Sequence, residues 1–195
     1  MADLSRFKTS LPAVAQLIQA LDGRGMIIGG VAVGLLSNPR ATADIDALVL
    51  APGDDPEEIL SIAARFQIQP RIQDVIEFAR TRRVLVLEHT PSGVPIDFSL
   101  GLLPYEEAAI GRALEMRFEG VTLRIATPED MVVMKAIAGR LRDIGDINLL
   151  AQMYPQLDME YIRANLAPFA ELLEDDELIS RMEKAVQDAR DLMGD

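Results

Sequence analysis

No cysteine occurs among the 195 residues, which excludes both disulfides and thiolate metal sites. The single histidine, His89, removes multi-histidine zinc centres as well. Basic clusters are equally scarce: 19 Lys and Arg stand against 31 Asp and Glu, and the formal charge is −12. Without a Lys/Arg run to track a phosphate backbone, the sequence argues against extended nucleic-acid binding, although a small nucleotide carried with a metal fits. No apolar run approaches membrane-spanning length, so no membrane partner is expected. The N-terminal "MADLSRFKTS" lacks the apolar run of a signal peptide, and a cytoplasmic protein is the expectation. What is present is a hydrophobic share of 49%, enough for a real core in one generous domain with a helical extension.

Periodicity divides the chain in two. Apolar positions at helical spacing over 11–22 end at Gly23 and Gly25, a helix with a stop signal. "GMII" then reads as a short strand, "VAVGLLS" as a helix, and "DIDALVL" as a second strand after a loop. Asp55 caps a helix with Pro56 in its first position. "RRVLVLEHT" and "VPIDFSL" pair across the turn "PSG", and "LEMRFEG" with "VTLRIAT" forms a further hairpin. Arg80, Arg82 and Arg83 read as an exposed loop, and His89 as a surface residue at a strand end. From Thr127, a cap followed by Pro128 and Asp130, the chain is helical to its end. Residues 1–126 are thus expected as a mixed α/β head, with 127–195 a helical region packed on it.

The chemistry concentrates between residues 26 and 50. Asp44 and Asp46 alternate with core residues, so both point to one face of a strand, with Ile45 and Leu48 assigned to the core. Two carboxylates about 7 Å apart on one face can grip a hard cation. Alone, such a pair is better read as a solvated strand face or two loop caps. Asp97, squeezed between Ile96 and Phe98 on another strand, changes that balance. Three carboxylates from neighbouring strands could hold two Mg²⁺ ions about 3.5–4 Å apart and neutralise a transferred phosphoryl group. Gly29 and Gly30, at a strand end opening a helix, add backbone N–H groups with no side chain in a phosphate's way. Thirteen residues separate Gly30 from Asp44, room for a short helix and its return.

"IGG", then "DID", then "PIDF" resembles the signature of the DNA polymerase β-type nucleotidyltransferase superfamily. Arg40, Thr42, Asp44 and Asp46 match the Arg-x-Thr-x-Asp-x-Asp pattern of its bacterial AbiEii-type and related small members. The likeness spans residues 26 to about 150. It implies an α+β fold, a mixed sheet flanked by helices with a C-terminal helical extension. It further implies a metal-dependent transfer of an NMP group from an NTP to an acceptor hydroxyl, with pyrophosphate released. Asp44, Asp46 and Asp97 would be catalytic and hold Mg²⁺ or Mn²⁺. Gly29, Gly30, Arg40, Thr42 and Lys135 would bind the nucleotide. Many superfamily members carry Ser where this chain has Gly30, so here only backbone amides meet the triphosphate.

The segment from Thr127 to Leu150, taken as one late helix, places Lys135, Gly139, Arg142 and Asp146 on one face, with Asp143 beside it. Met134, Ile137 and Leu141 cover the other side, and Met131, Met134 and Met153 read as core filler. A glycine inside a helix costs about 1 kcal/mol relative to Ala, so Gly139 suggests close approach by another group. Arg142, Asp143 and Asp146 are expected to form an ion-pair network. The acceptor is open between small molecule, protein and RNA, and the negative charge suits a cationic antibiotic better than tRNA. Two rival readings stand beside the enzyme of a toxin–antitoxin pair with an antitoxin-like protein partner. One is a non-catalytic binding module or antitoxin component of the same fold; the other is an antibiotic nucleotidylyltransferase.

Overall fold

The computed structural model describes residues 5–37, 41–51 and 55–194. The mixed α/β architecture is as expected. After a 3-10 turn at Ser5–Phe7 come α1 (Ser10–Ala20), β1 (Gly25–Ile28), α2 (Gly29–Leu36), β2 (Ile45–Val49) and α3 (Pro56–Ala64). Next follow β3 (Ile68–Pro70), α4 (Val75–Arg82), β4 (Val84–His89), β5 (Val94–Leu100), α5 (Pro104–Gly111), β6 (Leu114–Phe118) and β7 (Val121–Ile125). The rest is helical: α6 (Pro128–Ala138), α7 (Leu141–Met153), α8 (Met159–Leu173) and α9 (Leu178–Gly194). No helix among the described residues is long and apolar enough to cross a membrane.

The chain forms two compact units, Met1–Ala32 with Pro39–Ala126, and Val33–Asn38 with Thr127–Asp195. The first holds a seven-stranded sheet in the order β3-β4-β5-β2-β1-β7-β6. β2 lies parallel to β5 and antiparallel to β1, while β1 and β7 run parallel. Alternation along β4 and β5 divides the sheet into a closed face and an open one. Leu85, Leu87, Ile96 and Phe98 are fully buried, while Val86, Asp97 and Ser99, on the other parity, are half-buried. On β2 the open face is confined to one end. Leu48, expected opposite the aspartates, shares the parity of Asp46 yet is buried, so that face closes two residues beyond Asp46.

In the second unit α6 packs on α7 and α8, and α7 on α9. The end of α2 joins this unit through Tyr154, whose hydroxyl donates to the Leu36 carbonyl at 2.9 Å. Thr127 caps α6 by accepting from the Asp130 N–H at 3.1 Å, as its sequence signature requires. The single late helix does not form. Gly139 takes φ +64° and ends α6, its N–H donating to the Lys135 carbonyl, and α7 starts afresh at Leu141. Gly139 is there for the left-handed cap rather than for close approach by another group. The break also turns Leu141 out to solvent at 92% exposure. Met131 is core; Met134 is half-buried and Met153 exposed, so only the first fills the interior.

Two elements escaped the periodicity. α4 forms where a loop was expected: Arg80 and Arg82 lie in it, and Arg83 is its left-handed C-cap, donating to the Leu100 and Gly101 carbonyls. Only Val75 and Ala79 of this helix are buried, too few to print a helical stripe. β3 is three residues long and ends in Pro70, which an edge strand tolerates. His89 is buried rather than at the surface. Its Nδ1 shares a 2.8 Å hydrogen bond with the Ser92 hydroxyl across the turn, and burial lowers its pKa.

Candidate active site

Strand register assembles the site. On β2, Asp46 stands directly opposite Asp97 of β5 on one side and Ile28 of β1 on the other. Residues paired in this way share a face, so the two carboxylates converge. Asp44 lies in the bend just before β2 and joins them. One oxygen from each of Asp44, Asp46 and Asp97 lies within 4.8 Å of the other two, and all three residues are half-buried. The cluster lies wholly within the first unit. Thr42 fixes one member, its hydroxyl donating to Asp44 Oδ1 at 3.0 Å.

Gly29 makes the approach of Asp46 sterically feasible. Its φ is +67°, and a Cβ there would stand 2.0 Å from Asp46 Oδ2, inside any tolerable contact. No other residue type can serve at this point. Gly29 and Gly30 also open α2, whose first-turn N–H groups have no intrahelical acceptors. Helix start and carboxylates therefore adjoin through Gly29 itself.

Burial pushes the Asp97 carboxyl above its ordinary range, and the nearby Asp44 adds to the rise. Arg71 opposes both, its guanidinium donating to Asp97 Oδ1 at 2.9 Å, but the net shift stays upward. Three carboxylates, oxygen donors alone, suit a hard divalent cation such as Mg²⁺ or Mn²⁺ and offer nothing to a soft one. Arg71 drew no attention in the sequence. It sits in a stretch with no periodicity, and its relation to Asp97 exists only through β3 and β4.

Lys135 has a different setting. It is 5% exposed, and its ammonium lies 3.0 Å from Asp143 and 2.7 Å from Asp146, within the second unit. Arg140 completes this group at 2.6 Å from Asp143. The expected network therefore forms with Arg140 in place of Arg142, which is exposed. The helix break at Gly139 is the reason, since it resets the angular positions of every later residue. Arg40, matched to the nucleotide-binding pattern, lies outside the described residues.

The sequence profile of the family described as "Nucleotidyl transferase AbiEii toxin, Type IV TA system" matches residues 20–192. No curated protein matches the chain. Among solved structures, the chain is similar to the antibiotic-resistance factor ANT(2'')-Ia in solution, at 18% identity and TM-score 0.51, over 85% of this chain and 94% of that one. It is also similar to the crystal structure of ANT(2'')-Ia with adenylyl-2''-tobramycin, at 17% identity and TM-score 0.52, over 85% and 99%. An antigenic nucleotidyltransferase-like protein from Paracoccidioides brasiliensis aligns at 15% identity and TM-score 0.48, over 93% and 94%. At these identities the likeness to ANT(2'')-Ia establishes the fold. The family match covers most of the chain, and this protein belongs to the AbiEii nucleotidyltransferase toxin family of type IV toxin–antitoxin systems.

Proposed function

We propose that the protein transfers an NMP group from an NTP to an acceptor hydroxyl, with Mg²⁺ or Mn²⁺ held by Asp44, Asp46 and Asp97. The observation that carries this reading is the convergence of three carboxylates beside the Gly29-Gly30 helix start. As the acceptor oxygen bonds to the α-phosphorus, the bond from that phosphorus to pyrophosphate breaks, and the hydroxyl proton must leave. Bound divalent cations would supply positive charge against the transferring phosphoryl oxygens. Asp44 and Asp46 contribute ligand oxygens, with Thr42 holding the first in orientation. Asp97 completes the ligand set and lies where it can take the acceptor proton. Backbone amides at Gly29 and Gly30 receive the triphosphate. Lys135 is assigned a structural role ahead of a triphosphate contact, because two carboxylates already hold its ammonium.

A net charge of −12 favours a cationic small molecule over RNA as acceptor. ANT(2'')-Ia, whose crystal structure contains adenylyl-2''-tobramycin, makes an aminoglycoside the first candidate to try. The family supports an antitoxin protein as partner. The test is label transfer from each NTP, with Mg²⁺ or Mn²⁺, to a panel of aminoglycosides and to separated RNA and protein fractions of a lysate. Transfer with pyrophosphate release, abolished by chelator and by Asp46→Asn, is expected. Absence of transfer from every NTP with both cations would overturn the reading.

A further inference from the structure

Arg71 stands in one cross-strand row with the carboxylates. Its backbone N–H donates to the Val86 carbonyl, Val86 pairs with Asp97, and Asp97 pairs with Asp46. Residues in such a row share a face, so the guanidinium reaches over half-buried Val86 to Asp97. It takes Oδ1 at 2.9 Å, with both side chains about a third exposed at 38% and 31%.

We propose that Arg71 is a displaceable counter-ion: it competes with the divalent cation for Asp97 and so makes cation loading depend on nucleotide. This rests on the metal-bound reading given above and adds a residue that reading does not use. The physical reason is charge balance. A carboxylate oxygen engaged by a guanidinium is a poorer cation ligand, and the pair must break for Asp97 to serve fully. A triphosphate gives the released guanidinium a new anion to grip bidentately, so nucleotide and cation each favour the other's binding. Arg71 is a positioning residue in this scheme, acting through Asp97.

The test measures Mn²⁺ binding by electron paramagnetic resonance of the free ion, with and without a non-hydrolysable NTP analogue. Wild type, Arg71→Gln and Arg71→Lys are compared as full chains, with circular dichroism to establish folding. Without nucleotide, Arg71→Gln should bind Mn²⁺ roughly three- to tenfold more tightly than wild type, the range a part-exposed ion pair allows. The gain in Mn²⁺ affinity conferred by the analogue should shrink by the same factor. Arg71→Lys keeps the charge but not the fork, and should fall between the two. Equal or weaker Mn²⁺ affinity in folded Arg71→Gln, or in Arg71→Lys should the first variant not fold, overturns the proposal. Wild type that binds no Mn²⁺ under either condition fails the metal reading itself, and the proposal with it.

Discussion

Aspartates serve opposite ends in the two units. In the helical unit Asp143 and Asp146 are sealed, at 0% and 1% exposure, and meet Lys135 and Arg140: two negative charges, two positive. Burial works to raise the Asp143 carboxyl, but hydrogen bonds from Arg140 and Lys135 and their charges outweigh it, and the net shift is downward. In the sheet unit three carboxylates gather half-buried, and burial carries Asp97 upward although Arg71 pairs with it. Where acids serve the fold, their countercharges are built in and the water is excluded. The sheet cluster instead stays half open to solvent.

The sharpest way to break this contrast is Asp46→Asn. It should lower nucleotidyl transfer by at least about a thousandfold, since a ligand oxygen is lost from the reacting centre. Its melting temperature without ligand should hold or rise, because one of three like charges is removed. It should also lose the thermal stabilisation that Mg²⁺ with NTP gives the wild type. A destabilised variant that still responds to ligand would make Asp46 an ordinary structural acid.

Lys135→Ala tests the other side. Removing the ammonium takes from buried Asp143 and Asp146 the cation they share, and such a break costs about 3–5 kcal/mol. Urea unfolding should show that loss. Full stability with weakened NTP binding would move Lys135 from the structural group to the nucleotide.

Gly29→Ala probes where backbone and carboxylate meet. A methyl 2.0 Å from Asp46 Oδ2, at φ +67°, must push the carboxylate aside at a cost of about 1–3 kcal/mol. Mn²⁺ affinity should fall alongside, measured by calorimetry, whereas a merely strained turn would lose stability alone.

The smallest effect is in pH dependence, and its sign differs between the regions. A depressed carboxyl contributes stability that is present above its unfolded pKa and is lost as pH falls through the folded one. Asp143→Asn should therefore flatten the acid limb of a melting-temperature profile below the ordinary carboxylate range. A raised carboxyl does the reverse, so stability falls as pH climbs from the ordinary carboxylate range through the raised pKa. Asp97→Asn should remove that decline, and the two profiles should diverge from wild type on opposite sides of the carboxylate range.

Local patterns carried much of the fold. β5 coincides with "VPIDFSL", the β6–β7 hairpin turns at Glu119-Gly120, and Thr127 with Pro128 starts α6, because alternation, turn residues and caps act within a few positions. The Gly-Gly turn was legible for the same reason; Asp44, expected on the strand with Asp46, lies in the bend before β2 and still reaches the cluster. What short-range pattern could not supply was register and reach. Only the parallel pairing of β2 with β5 sets Asp97 opposite Asp46, and only β3 and β4 bring Arg71 across to it.

Gly139 shows the converse. A glycine within an apolar stripe is compatible with a continuous helix, yet Gly139 takes the left-handed conformation that ends α6. That turn gave Asp143 to Arg140 and left Arg142 in solvent. By itself the sequence determined residue chemistry, local elements and the absence of thiolate metal ligands, all of which depend on composition and near neighbours. Which carboxylates are sealed beside Lys135 and which gather half-buried on the sheet was decided by tertiary structure, because electrostatic environment depends on distances between residues far apart in the chain.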